Sequence, residues 1–73
     1  MLGERIRQAR HDADMSQEKL SNLTGLHQFH ISRIENGVIK DVMGSTIVRL
    51  SNALHVSPGY LLGVEDKPLH ARR

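Results

Sequence analysis

The chain has no cysteine, and phenylalanine and tyrosine occur once each in 73 residues. Without cysteine there is neither a disulfide framework nor a thiolate metal site, which fits a reducing compartment. A lone aromatic pair, Phe29 and Tyr60, argues against a base-stacking platform for single strands. No apolar run approaches the roughly 20 residues of a membrane span. The opening Met1-Leu2-Gly3-Glu4-Arg5 lacks the apolar stretch of a secretory signal. The expectation is a soluble, cytoplasmic protein. The formal charge of +2 says little about partners, but its distribution says more. Arg5, Arg7 and Arg10 crowd the first predicted helix, and Arg33 and Lys40 flank the middle of the chain.

What is present is a series of short capped helices, enough for one domain that buries about 60% of its unfolded surface. Leu2, Ile6, Ala9 and Ala13 recur at helical steps and predict a helix over 3–13. Asp12 and Asp14 then favour a turn, and Met15 is a candidate plug between helices. Ser16 is a good N-cap for a second helix over 16–24, with Glu18 suited to the positive end of its dipole. Leu20 and Leu23 are expected to face inward, and Gly25 can take the left-handed conformation that stops the helix. A third helix spans 27–36 and ends at Gly37. At about 100° per residue, Ile31 and Ile34 fall on one side, while Gln28, Phe29, Ser32, Arg33 and Asn36 occupy an arc of about 140° on the other. After an aperiodic loop, Ser45 is the expected cap of a fourth helix with Ile47, Leu50, Ala53 and Leu54 inside. Ser57-Pro58 starts a fifth, whose Tyr60, Leu61 and Leu62 form one apolar turn closed by Gly63. No strand alternation or internal repeat stands out. The fold class is all-α, a compact bundle of five short helices over 1–64. A tail over 65–73 has no apolar period and is expected to fray.

Two short helices joined around a glycine make the connection of a helix-turn-helix. The spaced pattern Ser16-Gln17-Glu18-x-Leu20-Ser21-x-x-Thr24-Gly25-Leu26, continued by Ile31-Ser32-Arg33-Ile34-Glu35-Asn36-Gly37, resembles the Cro/C1-type (Xre-like) helix-turn-helix family. The later Leu50-x-x-Ala53-Leu54-x-Val56-Ser57-x-x-Tyr60-Leu61-Leu62-Gly63 also resembles that family, so the likeness covers residues 3–63. In length and spacing it is similar to the DNA-binding domains of lambdoid phage repressors. The resemblance implies a lambda-repressor-like domain that binds a palindromic operator in double-stranded DNA as a homodimer, with the third helix in the major groove. It implies that Gln17 and Asn36 meet phosphates, that Gln28, Phe29 and Arg33 reach base edges, and that Arg10 pairs with Glu35. The loop after Gly37 departs from the family pattern, having one lysine, Lys40, one aspartate and no proline.

The residue chemistry suits these roles. Arg33 can donate a bidentate pair to guanine, Gln28 can pair with adenine, and Phe29 can meet only a thymine methyl. Ser32 is small enough to let the helix approach the groove. Gln17, at a helix N-terminus, and His27 are candidate phosphate contacts, as is Lys40. Each has a plainer alternative. Gln17 and Lys40 fit as solvated side chains, and His27 as a cap. Phe29 can fold back over the turn as core, and Arg33 can pair with a surface carboxylate. Arg10 and Glu35 both adjoin apolar stripes, so their pair is expected to be partly buried and structural.

Val56, Pro58, Tyr60 and Leu61 are the candidate dimer contacts, with core closure as the alternative and Leu62 assigned to the core. His27 and His30 have no third ligand at helical spacing, and no serine has a nucleophile-elbow context, so no metal, cofactor or enzymatic activity is expected. The expected function is a sequence-specific transcriptional regulator, in the first place a repressor. The alternatives are a restriction–modification controller, an antitoxin, or a protein-interaction module that keeps the fold.

Overall fold

The computed structural model describes residues 2–65. They form five helices: α1 (Leu2–Asp12), α2 (Gln17–Thr24), α3 (Gln28–Glu35), α4 (Gly44–Leu54) and α5 (Pro58–Leu62). Among the described residues there is no strand, and no helix is long and apolar enough to cross a membrane. Glu65 is fixed: its carbonyl accepts from Arg5 at 2.7 Å, and its carboxylate accepts from the Ser57 hydroxyl. The rest of the expected tail, from residue 66 on, lies outside the described residues.

Local chemistry sets most helix ends. The Ser16 hydroxyl accepts from the Lys19 N–H at 3.0 Å, and the Ser57 hydroxyl accepts from the Tyr60 N–H at 3.1 Å. Pro58 occupies the first turn of α5, where its missing N–H costs nothing. Gly25 closes α2 at φ +79°, a conformation that an L side chain resists. The start of α4 differs from the sequence expectation. Met43 is extended and its carbonyl already accepts from the Ile47 N–H, so the helix begins at Gly44 and Ser45 is not its cap.

The core gathers one or two residues per turn from every helix. Ile6, Leu20, Ile31, Ile34, Leu50 and Leu61 are buried, joined by Ala9, Leu54, Val56 and Tyr60. Each fully buried Leu or Ile contributes about 1.5–3 kcal/mol from water exclusion. Met15 packs against this cluster between α1 and α2.

Three apolar assignments are corrected. Ala13 is exposed because α1 stops at Asp12 and the chain turns there, so Arg10 takes the fourth place on the buried face. Leu23 is 53% exposed. The inward position of the last turn of α2 belongs instead to Thr24, whose hydroxyl donates to the Leu20 carbonyl at 2.8 Å. Leu62 is 58% exposed, because Tyr60 and Leu61 already close the core.

α1 packs across α3, α4 and α5, and α2 lies on α3 and α4. The approach of α1 to the end of α3 depends on Gly3. A Cβ there would stand 2.3 Å from the Ile34 carbonyl oxygen and 2.5 Å from that of Glu35.

Candidate nucleic-acid interface

The α2–α3 connection is short and hydrogen-bonded from both sides. The Gly25 N–H donates to the Ser21 carbonyl at 2.9 Å. Thr24 Oγ1 accepts from the Leu26 N–H at 3.2 Å, and the Ser21 hydroxyl donates to the Leu26 carbonyl. These bonds lie within six residues, so they hold the angle between the two helices locally.

From that turn α3 sets two faces. Ile31, Ile34 and Glu35 are buried, while Gln28, Phe29 and Arg33 are exposed and Ser32 is half-buried. Phe29 is 67% exposed, which is high for a phenylalanine. It does not fold back over the turn. The Arg33 guanidinium lies over its ring, 4.2 Å from the centroid, rather than on a surface carboxylate.

The far end of α3 is tied down by charge. Glu35, 3% exposed, accepts from Arg10 Nε at 2.8 Å through one oxygen and from Arg10 Nη2 at 3.0 Å through the other. This is a fork-to-fork pair, the strong geometry for arginine and carboxylate. Gln17 Nε2 donates to the same carboxylate at 3.1 Å, and Arg7 Nε approaches at 3.5 Å. Burial works to raise the Glu35 carboxyl, but the hydrogen bonds from Arg10 and Gln17, with the charge of Arg10, outweigh it and hold Glu35 below the usual carboxylate range. The hydrogen bond to Glu35 in turn raises Arg10, against the opposing effect of burial. Every buried side-chain nitrogen and oxygen among the described residues has a partner.

Two short helices at a locked angle, with a polar outward face on the second, are the parts of a helix-turn-helix. A family model described as helix-turn-helix matches residues 6–61. The chain belongs to this family, in its Cro/C1 form. Similar proteins include control protein C.BamHI of Bacillus amyloliquefaciens, 41% identical over 63 residues, which are 85% of this chain and 76% of that protein. Among solved structures, the P22 c2 repressor in complex with a synthetic operator is 34% identical with TM-score 0.80, over 89% of this chain and 97% of that one. The restriction-modification controller protein C.AhdI from Aeromonas hydrophila is 33% identical with TM-score 0.77, over 82% and 89%.

Seen as a helix-turn-helix, the expected site residues separate into groups. Gln28, Phe29, Ser32 and Arg33 share the outward side of α3. His27 stands exposed at the N-cap of α3, but its side chain caps nothing. Asn36 is exposed just past the helix end, and its Oδ1 accepts from Arg7 Nη2 at 2.6 Å. Lys40 is exposed in the following loop. Gln17 is half-buried with one amide hydrogen on Glu35, so it is less free than a solvated first-turn glutamine.

The expected dimer contacts are corrected. Val56, Tyr60 and Leu61 are buried within the protomer, because α5 closes the core with them. Only Pro58 of that set is exposed, next to Leu62 and Val64, which are exposed too.

Two arginines hold the site in ways that the sequence pattern alone does not assign. Arg7 bridges α1 to both Glu35 and Asn36. Its signal was its place one turn before Arg10. Arg5 donates to the Tyr60 carbonyl at 3.1 Å and lies over the Tyr60 ring at 4.6 Å, fastening α5 to α1. Nothing local in the sequence marks that contact, which spans 55 residues.

Proposed function

We propose that this helix-turn-helix protein is a cytoplasmic, non-enzymatic transcriptional regulator that binds a palindromic operator as a homodimer. The observation that carries the reading is the outward face of α3, where Gln28, Phe29 and Arg33 stand exposed on a helix fixed at both ends. In this geometry α3 enters the major groove and α2 crosses the backbone. Arg33 takes guanine O6 and N7, and Gln28 takes an adenine edge. Phosphate contacts come from Lys40, Asn36 and His27, and from the second amide hydrogen of Gln17 beside the free N–H groups of the α2 N-terminus. The exposed Pro58, Leu62 and Val64 supply the dimer contact. Two-fold symmetry then sets half-sites one helical turn apart, about 34–36 Å.

Within this reading, the 41% identity to a control protein, together with the likeness to a restriction-modification controller protein, favours a restriction–modification controller over a general repressor. Duplex affinity measured across a salt series tests the proposal. Log affinity should fall linearly with log salt, with a slope of about 0.9 per phosphate contacted. A flat response would refute duplex binding. Selection from a random duplex pool should then return two inverted half-sites, and unpaired half-sites would refute the homodimer.

A further inference from the structure

Resting on that reading, we propose that Phe29 and Arg33 act as one composite reader. Its target is a guanine together with the C5-methyl of a pyrimidine in the adjacent base pair, so that 5-methylcytosine is accepted there in place of thymine.

The inference starts from spacing. Phe29 and Arg33 are four residues apart on α3, so their Cα atoms are separated by about 6 Å along the helix axis. Extended outward independently, they would address base pairs roughly two steps of about 3.4 Å apart. They are not independent. Helical side chains lean toward the N-terminus, and the Arg33 guanidinium folds back over the Phe29 ring at 4.2 Å from its centroid. The two tips therefore sit about one base-pair step apart.

The stack also leaves the reading chemistry intact. It uses one face of the ring and one face of the guanidinium, whereas the arginine donors lie in the guanidinium plane. The fork stays open for guanine O6 and N7, and the ring edge stays open for a methyl group. The Arg33 carbonyl is held as well, accepting from the N–H groups of Val38 and Ile39 at 2.9 and 3.2 Å. A guanidinium placed beforehand loses less freedom on binding. At an exposed site such stacking favours the folded-back guanidinium by about two- to fivefold before binding.

The ligand class follows from what a phenyl ring can detect. It has no donor or acceptor, so within the major groove it responds to the apolar C5-methyl of thymine. A 5-methylcytosine carries the same methyl at the same place while pairing with guanine. The ring has no donor or acceptor with which to tell the two apart, and in this reading the arginine fork is engaged by guanine O6 and N7. Burying one such methyl amounts to about fourfold in affinity.

The test uses the half-site selected by the whole chain. At the pyrimidine beside the Arg33 guanine, duplexes carry thymine, uracil, cytosine or 5-methylcytosine, and dissociation constants are read by fluorescence anisotropy. Thymine should bind about fourfold tighter than uracil, and 5-methylcytosine should exceed cytosine by the same factor. Phe29→Ala should abolish both methyl effects and weaken the preference for guanine over 7-deazaguanine, with Phe29→Leu intermediate. The exposure of Phe29 keeps these variants folded, and the base substitutions need no variant. Equal binding of the methylated and unmethylated bases, or a guanine preference unchanged in Phe29→Ala, overturns the composite reader while leaving specific operator binding in place. Loss of salt-dependent duplex binding altogether overturns both.

Discussion

Replacing Glu35 by glutamine tests the buried tie that holds the end of α3. The substitution keeps the shape of the side chain but removes its charge and turns one acceptor oxygen into a donor. In the native protein that carboxylate accepts twice from Arg10 and once from Gln17, and meets Arg7. After Glu35→Gln, a buried arginine loses its counter-charge and one of its donors faces another donor. Stranding one partner of a buried pair costs about 3–5 kcal/mol. A domain of this size has a total stability of roughly 4–11 kcal/mol, so the loss is a large share of it. At about 4–8 °C per kcal/mol for a domain of this length, the melting temperature should fall by at least about 12 °C.

The pH dependence has a definite sign. Glu35 is held below its ordinary value when folded, so its contribution is complete above the unfolded pKa of about 4.3 and is lost as pH falls through the folded value. Arg10 remains charged throughout. The stability difference between the native protein and Glu35→Gln, from urea unfolding, should therefore be constant near neutrality and shrink below about pH 4.3. The double variant Arg10→Met with Glu35→Leu removes the stranded charge and should recover most of the loss. A cost below about 1 kcal/mol, the value of an exposed pair, or a difference that grows with acid, would refute the buried tie.

Other substitutions isolate single causes. Gly3→Ala, which in an ordinary helix would gain about 1 kcal/mol, should instead cost about 1–3 kcal/mol, because its Cβ meets carbonyl oxygens of α3; thermal melts decide the sign. At Gly25 an added Cβ would meet only Arg49 Nη1, at an ordinary 4.0 Å, so Gly25→Ala should show only the conformational cost of about 1–2 kcal/mol, and Gly25→Asn should recover part of it. Arg33→Ala should relax preference at one position of the selected half-site, whereas Lys40→Ala should weaken all sequences alike and lower the salt slope by about 1. Leu62→Asp should shift sedimentation toward the monomer without lowering the melting temperature, since Leu62 lies outside the core.

How far the chain could be read follows the distance over which each feature is decided. Ser16, Ser57 and Gly25 act on neighbours within four residues, so their spacing alone identifies them as helix ends. The division of α3 into Ile31 and Ile34 against Gln28, Phe29 and Arg33 follows from helical period. Leu23 and Leu62 show where period fails: each sits at the border of an apolar arc, and only the position of other helices decides its side. Gly3 and Arg5 are further from view, because what they touch lies 31 or more residues away. The α4 start departs from a cap at Ser45 because the extended backbone of Met43 begins the helix without any side-chain cap, a choice that no residue type announces.

The two ends of α3 are held by different means, and this explains how the domain can vary its reading without losing its shape. At the N-terminal end Ser21, Thr24 and Gly25 hold the turn through bonds inside one short segment. At the C-terminal end Glu35 is gripped by α1 through Arg10 and Arg7 and by α2 through Gln17. The Phe29 and Arg33 side chains between these anchors meet each other rather than either anchor, so they can change while the helix stays in place. Gln17 belongs to the second anchor, with one amide hydrogen on Glu35 and the other available at the α2 N-terminus. On the proposed reading, a phosphate gripped there would be connected through one side chain to the tie that orients α3. Glu35→Gln, measured at a temperature where the variant is still folded, should therefore weaken binding to every duplex sequence by a similar factor. A change in base preference at a single position would show that the tie reaches the reading residues directly.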